Sequence, residues 1–353
     1  MTSKERVLAY LERRIPDRVP TSYRATSEVT HKLLAHFGTD DFQVVRRALG
    51  IDGFFDVSPV YVGPDLHRFG DGTWEDFWGT RYKNIQYATG CYAEKCFFPL
   101  QGARTAEQLD RYRWPSLDWW DFSCVSEQAQ RAQDQVVRGG VYSLFEQFNA
   151  LKPLDECLTD ILVEPEFVLD VFVRLHGFWM QYLERLFQAA EGAIKMLFIS
   201  DDVGMQDRMM MRPDVWRGFF PPFYRELTAM AHRYGVSVAY HSDGSIDPII
   251  PDLIEAGADI LEPVQHVCPG IDREHLKAAY GDRLLFMGAV ENQRVLPFGT
   301  VEEVREETRE CLRLLAKGGG YMLSSCHNLQ PVTPVENIIA MYQVVQEEGH
   351  LYF

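Results

Sequence analysis

His241 and Asp243 stand two positions apart where an apolar run, Val236 to Tyr240, gives way to Ser242, Asp243 and Gly244. Residues i and i+2 of extended backbone face the same side, so this imidazole and carboxylate can grip one metal ion. Cys326, which follows the run Tyr321 to Leu323, can add a thiolate. One nitrogen, one oxygen and one sulfur ligand, with a fourth position open, suit a catalytic zinc. A plainer reading is also open, in which His241 and Asp243 form a hydrogen-bonded turn and Cys326 is a small buried apolar residue.

Other polar groups cluster at similar points. Asp201 and Asp202 follow Met196 to Ser200; Asp202 suits a catalytic base, a substrate contact or a further ligand, and equally a helix cap. Glu262 ends the run Ile260-Leu261, where a carboxylate is costly to bury without a partner, so it is the second expected catalytic residue. Glu146 and Asn149, beyond Val141 to Leu144, are expected to reach the substrate, or equally to lie on a helix surface; Gln206, Tyr240 and Gln265 are expected at the substrate as well. Arg294 and Arg24 are candidates for an anionic substrate group, or for surface ion pairs of little energetic weight. His266 and His327 read as loop or hydrogen-bonding histidines, and Met209 to Met211 as core.

The elements that must position these groups follow one pattern. Short β-branched or aromatic runs alternate with polar loops and longer helical stretches, which argues for parallel strands with helical crossovers. The runs Met196 to Ser200, Val236 to Tyr240, Ile260-Leu261, Leu284 to Met287 and Tyr321 to Leu323 are predicted strands, joined by Val19 to Tyr23, Phe54 to Val57 and Val141 to Leu144. The fold class expected is α/β, a (β/α)₈ TIM barrel, in which the carboxyl ends of successive strands converge on one face. A doubly wound open sheet is the competitor, but no Gly-x-Gly-x-x-Gly follows the first strand. Met1 to Arg14 reads as an amphipathic helical extension with Val7, Leu8 and Leu11 on one side. Trp74 to Trp120 reads as an aromatic-rich, β-rich insertion covering one mouth. Thr300 to Glu303 has capping-box spacing ahead of a helix reaching about Ala316, and Thr333 to Glu336 repeats it with Pro334 at the first helical position. Gly318 to Gly320 are expected to end the penultimate helix. With no linker or low-complexity segment, residues 1–353 are read as a single domain.

The formal charge of −16 argues against a nucleic-acid partner, since phosphate neutralisation needs a basic face. No stretch has the length and apolarity of a signal peptide core or a membrane span. Seven cysteines at irregular spacing suit reduced thiols, so a cytoplasmic protein is expected.

At its strand ends the chain resembles the uroporphyrinogen decarboxylase superfamily, which includes the cobalamin-dependent methyltransferases. The segments that carry the resemblance are Tyr240 to Gly244, Leu261 to Gln265, Arg294 to Thr300, Gly318 through Pro331 and Pro334 to Ile338. The resemblance implies a (β/α)₈ barrel, often a homodimer. Decarboxylase members carry an arginine-rich segment near the amino terminus, where this chain has Thr21 to Glu28 with the single arginine Arg24. A substrate rich in carboxylates needs paired cationic contacts, so porphyrinogen decarboxylation is disfavoured. Methyltransferase members hold zinc on a His-x-Cys pair and a later cysteine. Here His241 and Cys326 match, and Asp243 replaces the middle cysteine. A harder, more Lewis-acidic zinc suits polarising the oxygen or nitrogen of a methyl donor. The resemblance therefore implies a zinc-dependent methyltransferase that moves a methyl group from a small methylated ether or amine to a corrinoid (cobalamin) on a partner protein. A decarboxylase or lyase acting on a smaller carboxylate, and a barrel that only binds a corrinoid or small ligand, are the alternatives.

Overall fold

The computed structural model describes residues 1–87 and 90–353. Seven parallel strands form one sheet whose spatial order follows the chain: Phe54–Val57, Val136–Tyr142, Ile194–Ser200, Ser237–His241, Ile260–Glu262, Leu285–Val290 and Tyr321–Ser325. The segment around Thr21 fills the eighth position. Ser22 N–H donates to the Leu323 carbonyl at 2.9 Å and Leu323 N–H to Pro20 at 2.9 Å, while Gly53 N–H donates to Thr21 at 2.9 Å. One extended segment thus bonds the last strand on one side and, on the other, Gly53 at the entry to the first, and so closes the sheet. The architecture is the (β/α)₈ barrel expected from the alternating pattern.

Closure is locked by Asp52. Its fully buried carboxylate takes Arg6 Nη1 at 2.5 Å, Arg18 Nη1 at 2.9 Å and the Thr21 N–H at 3.0 Å. A carboxylate withdrawn from water this completely is tolerable only because its oxygens are saturated by cations and an amide.

The amino-terminal helix runs from Ser3 to Leu11, shorter than expected, with a Thr2/Glu5 capping box. Its Val7 and Tyr10 pack among Val136, Met196, Ala239, Ile260, Leu285 and Met322, the inward residues of six strands. The helix therefore plugs the amino-terminal end of the barrel and leaves the carboxyl end for the site.

Several expected boundaries move. The strand placed at Val141 to Leu144 is Val136–Tyr142, and Ser143 and Leu144 already lead into the helix Phe145–Leu151. Gly139 and Gly140 obscure that strand in the sequence because they lack the side chains that signal a pleated surface. They are required: a Cβ on Gly140, whose φ is +89°, would lie 2.4 Å from Leu183 Cδ2. The Thr300 capping box forms as expected ahead of Val301–Leu315. The one at Thr333 does not: Pro334 is the N-cap of Val335–Glu348, and Thr333 is buried. Gly318, Gly319 and Gly320 all take positive φ, as a chain reversal between helix and strand requires.

The aromatic insertion contains two small antiparallel units. Trp74–Glu75, Arg81–Tyr87 and Gly90–Phe97 make one, and Val60–Tyr61 pairs with Trp120–Asp121 in the other. Its rings pack on the helix Pro165–Ala189, with Trp120 against Phe178 and Tyr182 at centroid distances of 5.5 Å. No helix among the described residues is long and apolar enough to cross a membrane.

A candidate metal centre between two cavities

Strand register builds the first half of the site. Ser200 and Glu262 are each the register partner of His241 on its two neighbouring strands. In parallel strands such partners point to the same face, so the three side chains form a row at the carboxyl end of the barrel. His241 Nδ1 donates to Glu262 Oε2, and Arg24 Nη1 reaches Glu262 Oε1 at 3.3 Å. Burial by itself would depress the imidazole, but the Glu262 charge outweighs it and lifts His241 to about 9. Burial likewise works to raise Glu262, yet His241 and Arg24 hold it below the usual carboxylate range. With Nδ1 committed to Glu262, Nε2 is the nitrogen left for a ligand, an arrangement common to metal-binding histidines.

Loop contacts build the second half. The backbones of Gly204 and Gly244 press together: a Cβ on Gly204 would fall 2.2 Å from the Asp243 carbonyl oxygen, and one on Gly244 2.6 Å from the Gly204 carbonyl carbon. Asp243 N–H donates to Asp202 Oδ1 at 2.8 Å. These contacts aim the Asp243 carboxylate at His327, whose Nε2 lies 3.5 Å from Asp243 Oδ2. Asp243 Oδ1 is buried with no hydrogen-bond partner, and burial raises this carboxyl above its ordinary value.

One donor atom each from His241, Asp243 and His327 lies within 4.8 Å of the others. Ligands about 2.0–2.2 Å from a tetrahedral zinc sit about 3.4 Å from one another, so only small side-chain movements separate this group from coordination. An orphaned carboxylate oxygen, an imidazole oriented through its far nitrogen and a second imidazole fit a zinc with a position open. The group differs from the expected one in its third member. Cys326 is not in this group; its buried thiol points to the Val264 carbonyl at 3.8 Å, and burial pushes it well above the usual thiol range. His327, read from sequence as a loop histidine, is the third member of the group. Adjacent residues leaving a strand diverge, and no pattern in the sequence says which of the two turns inward.

The group stands between two cavities. An inner chamber of about 560 Å³ reaches His241, Glu262, Ser200 and Arg24. Apolar and aromatic side chains make most of its wall: Phe77 and Trp120 from the insertion, Trp179 and Tyr182 from the long helix, Phe198 and Met287 from the barrel. An outer cleft of about 490 Å³ reaches Asp243, Cys326 and His327, and five carboxamides line it: Gln206, Gln265, Asn292, Gln293 and Gln330. Exposed Phe298 and Val332 border this cleft.

The remaining expected residues divide. Gln206 and Gln265 reach the outer cleft, Gln265 also accepting the Gly244 N–H at 2.7 Å. Glu146 accepts from Ser200 Oγ at 3.1 Å, and burial together with the charges of Asp202 and Asp201 raises its carboxyl to about 7. Asp202 supports the Asp243 loop and lies 3.8 Å from His241 Nε2. Tyr240 is a correction: alternation along its strand turns it opposite to His241, into the core, where its hydroxyl donates to the Asp201 carbonyl at 3.3 Å. Asn149 and Arg294 line neither cavity. Asn149 meets Lys95 through its backbone carbonyl at 3.4 Å, and Arg294 is the exposed N-cap of the helix Val295–Phe298. Asp201 is structural: its buried carboxylate accepts the N–H groups of Leu144 and Glu146 and the hydroxyls of Ser143 and Tyr224, which fixes the helix that carries Glu146. His266 is a hydrogen-bonding histidine, as expected, on Glu307 at 2.8 Å.

Residues 149–348 match the family described as uroporphyrinogen decarboxylase (URO-D). The chain belongs to this family. Among solved structures, a methyltransferase from Methanosarcina mazei is 19% identical, with a TM-score of 0.66 over 98% of this chain and 99% of that one. At that identity the likeness establishes the shared fold. An IOLI protein with a zinc atom bound (14% identical, 65% of this chain and 82% of that one, TM-score 0.33) is too distant to bear on the site. So is an N-acetyl-D-glucosamine-6-phosphate deacetylase from Mycobacterium smegmatis (14% identical, 59% of this chain and 54% of that one, TM-score 0.26). No curated protein sequence matches the chain.

Proposed function

We propose that this URO-D-family protein is a zinc-dependent methyltransferase that takes a methyl group from a small donor and passes it to a corrinoid carried by a partner protein. The observation that carries the reading is the placement of His241, Asp243 and His327 on the boundary between a largely apolar, aromatic-walled chamber and a carboxamide-lined cleft. Group transfer between a small molecule and a large cofactor needs such a boundary. The chamber suits the donor, since it is apolar, walled and of small-molecule size. The cleft suits the acceptor, since the edge of a corrinoid ring is fringed with carboxamides that pair with amide side chains, and the apolar rim at Phe298 and Val332 offers contact to the protein that carries it.

His241, Asp243 and His327 would hold the zinc, which supplies Lewis acidity to the donor heteroatom. Glu262 orients His241 through Nδ1, and Asp202 holds the Asp243 loop in register. Ser200, on the chamber wall, connects to Glu146, whose raised carboxyl is suited to carry a proton to the departing heteroatom near neutral pH. The aromatic wall lowers the polarity around the reacting centre. The decarboxylase alternative is less well served: Arg138 is held by Asp56 at 2.6 and 2.7 Å, which leaves Arg24 without a second open arginine on the chamber wall, so a polycarboxylate finds no paired cations. An odd cysteine count further favours the cytoplasm as the setting.

The test is elemental analysis of the purified protein with and without added zinc, followed by spectral titration of a cobalt(I) corrinoid with methylated donors. Stoichiometric zinc is expected in the parent and in Cys326→Ala, and loss of zinc in His241→Ala and His327→Ala. Protein that stays metal-free after zinc incubation would overturn the metal reading. A corrinoid spectrum unchanged by every methylated ether and amine would leave a binding barrel.

A further inference from the structure

We infer that the inner chamber binds a single-ring aromatic acid, so that the methyl donor is the methyl ether of such an acid. The word donor rests on the methyl-transfer reading above; the binding site itself does not.

Three features of the chamber point to this ligand. The first is the wall. Trp120, Phe77, Trp179 and Tyr182 come from two separate parts of the chain and fix one another edge to face: Trp120 meets Phe77 at 4.9 Å and 90°, and Tyr182 at 5.5 Å and 87°. Rings held at right angles present both faces and edges, the two surfaces an aromatic ligand packs against. An aliphatic donor such as methanol or methylamine would leave most of this surface uncovered. The second is volume. A cavity of roughly 150 Å³ accepts benzene, so about 560 Å³ holds one substituted ring with room for ordered water.

The third is charge. Two arginines line the chamber, and they differ. Arg138 spends Nε and Nη2 on Asp56. Arg24 reaches Glu262 and His241 through Nη1 alone, at 3.3 to 3.5 Å, and its Nε and Nη2 make no hydrogen bond among the described residues. Its side chain is 40% exposed. Half of a planar fork is therefore open, and a carboxylate is the group that such a fork takes in two parallel bonds. One open fork specifies a monoanion. The same cation, at the edge of an aromatic box, works against a quaternary ammonium, the other ligand that aromatic walls favour.

The chemistry agrees with the site. Transfer breaks the O–CH₃ bond heterolytically; the bonding pair stays on the aryl oxygen, and the methyl group is taken by the electron pair of the low-valent corrinoid acceptor. A phenolate leaves more readily than an alkoxide, because the ring spreads its charge.

Binding is measured on the full-length protein by tryptophan fluorescence and calorimetry, without corrinoid. The probes are the methoxybenzoates, methoxybenzene, tetramethylammonium and methanol. At least one methoxybenzoate is expected to bind ten times or more tighter than methoxybenzene, a ratio typical of a charge-assisted hydrogen bond, and Arg24→Gln should abolish the difference. Tyr182→Leu should weaken both ring compounds; a melting temperature equal to the parent's shows that this variant is folded, and if it is not, Arg24→Gln carries the test. Tetramethylammonium or methanol binding as tightly as the best methoxybenzoate, or no saturable binding of any methoxybenzoate, would overturn the inference. Methoxybenzoate binding without a corrinoid spectral change would uphold this site and count against the methyl-transfer reading alone. Corrinoid methylation by a non-aromatic donor, with no methoxybenzoate bound, would do the reverse.

Discussion

Glu262→Gln isolates the support given to the metal group. Glu262 borders the inner chamber, but its hydrogen bonds are spent on support: it accepts the proton of His241 Nδ1 and is itself buried, with Arg24 as its second partner. Glutamine keeps the volume and one carbonyl acceptor, so the imidazole retains a partner but loses the negative charge that sharpens its basicity. Loss of a supporting carboxylate of this kind costs about 10–100-fold in metal affinity, or about 1.4–2.7 kcal/mol. Folding stability should fall by about 1–3 kcal/mol, the range for a buried hydrogen-bonding group left poorly matched. The loss is held to that range because Arg24 is partly exposed and can rehydrate. Zinc affinity is measured by competition with a chromophoric chelator at fixed pH, and stability by urea denaturation of the zinc-free protein. Affinity within twofold of the parent, in a variant whose His241→Ala counterpart binds no zinc, would refute the role given to Glu262. A loss above a thousandfold would make Glu262 a ligand and not a support.

Two other perturbations bear on the site. Gly244→Ala places a Cβ 2.6 Å from the Gly204 carbonyl carbon at a φ of +85°, so a destabilisation of about 1–3 kcal/mol is expected, together with zinc loss as the Asp243 loop is displaced; unchanged zinc content would show that the loop contact does not position Asp243. Glu146, raised to about 7 from an ordinary 4.5, ionises later in the folded chain than in the unfolded one. Its contribution to stability is therefore fully present below pH 4.5 and is lost as pH rises through about 7, by about 3 kcal/mol at 1.36 kcal/mol per pKa unit. In Glu146→Gln this part of the stability–pH slope should vanish, and any methyl-transfer activity should lose its decline above pH 7; identical slopes in parent and variant would refute the shift.

The pleat explains what could be read in advance and what could not. His241 and Asp243 were legible because two positions along extended backbone place both side chains on one side, and a run such as Val236 to Tyr240 announces its own strand. Tyr240, one residue away, faces the opposite side by the same alternation. Past the last strand that rule ends, so the choice between Cys326 and His327 lay in how one loop turns. Glu146 was legible only as a polar group near a strand end; its raised carboxyl depends on Asp201 and Asp202, which arrive from another strand.

The sequence by itself determined the order of strands and helices, and with it the barrel, because periodicity, capping residues and glycine reversals are local properties. It also determined that polar groups would gather at the carboxyl ends of the strands. Only the tertiary structure decided what those ends enclose. The closing role of Thr21, the pressing together of Gly204 and Gly244, and the aromatic chamber shared by Trp120 and Tyr182 all join residues far apart in the chain. The division into an inner chamber and an outer cleft, with His241, Asp243 and His327 between them, exists only once the sheet has closed on itself.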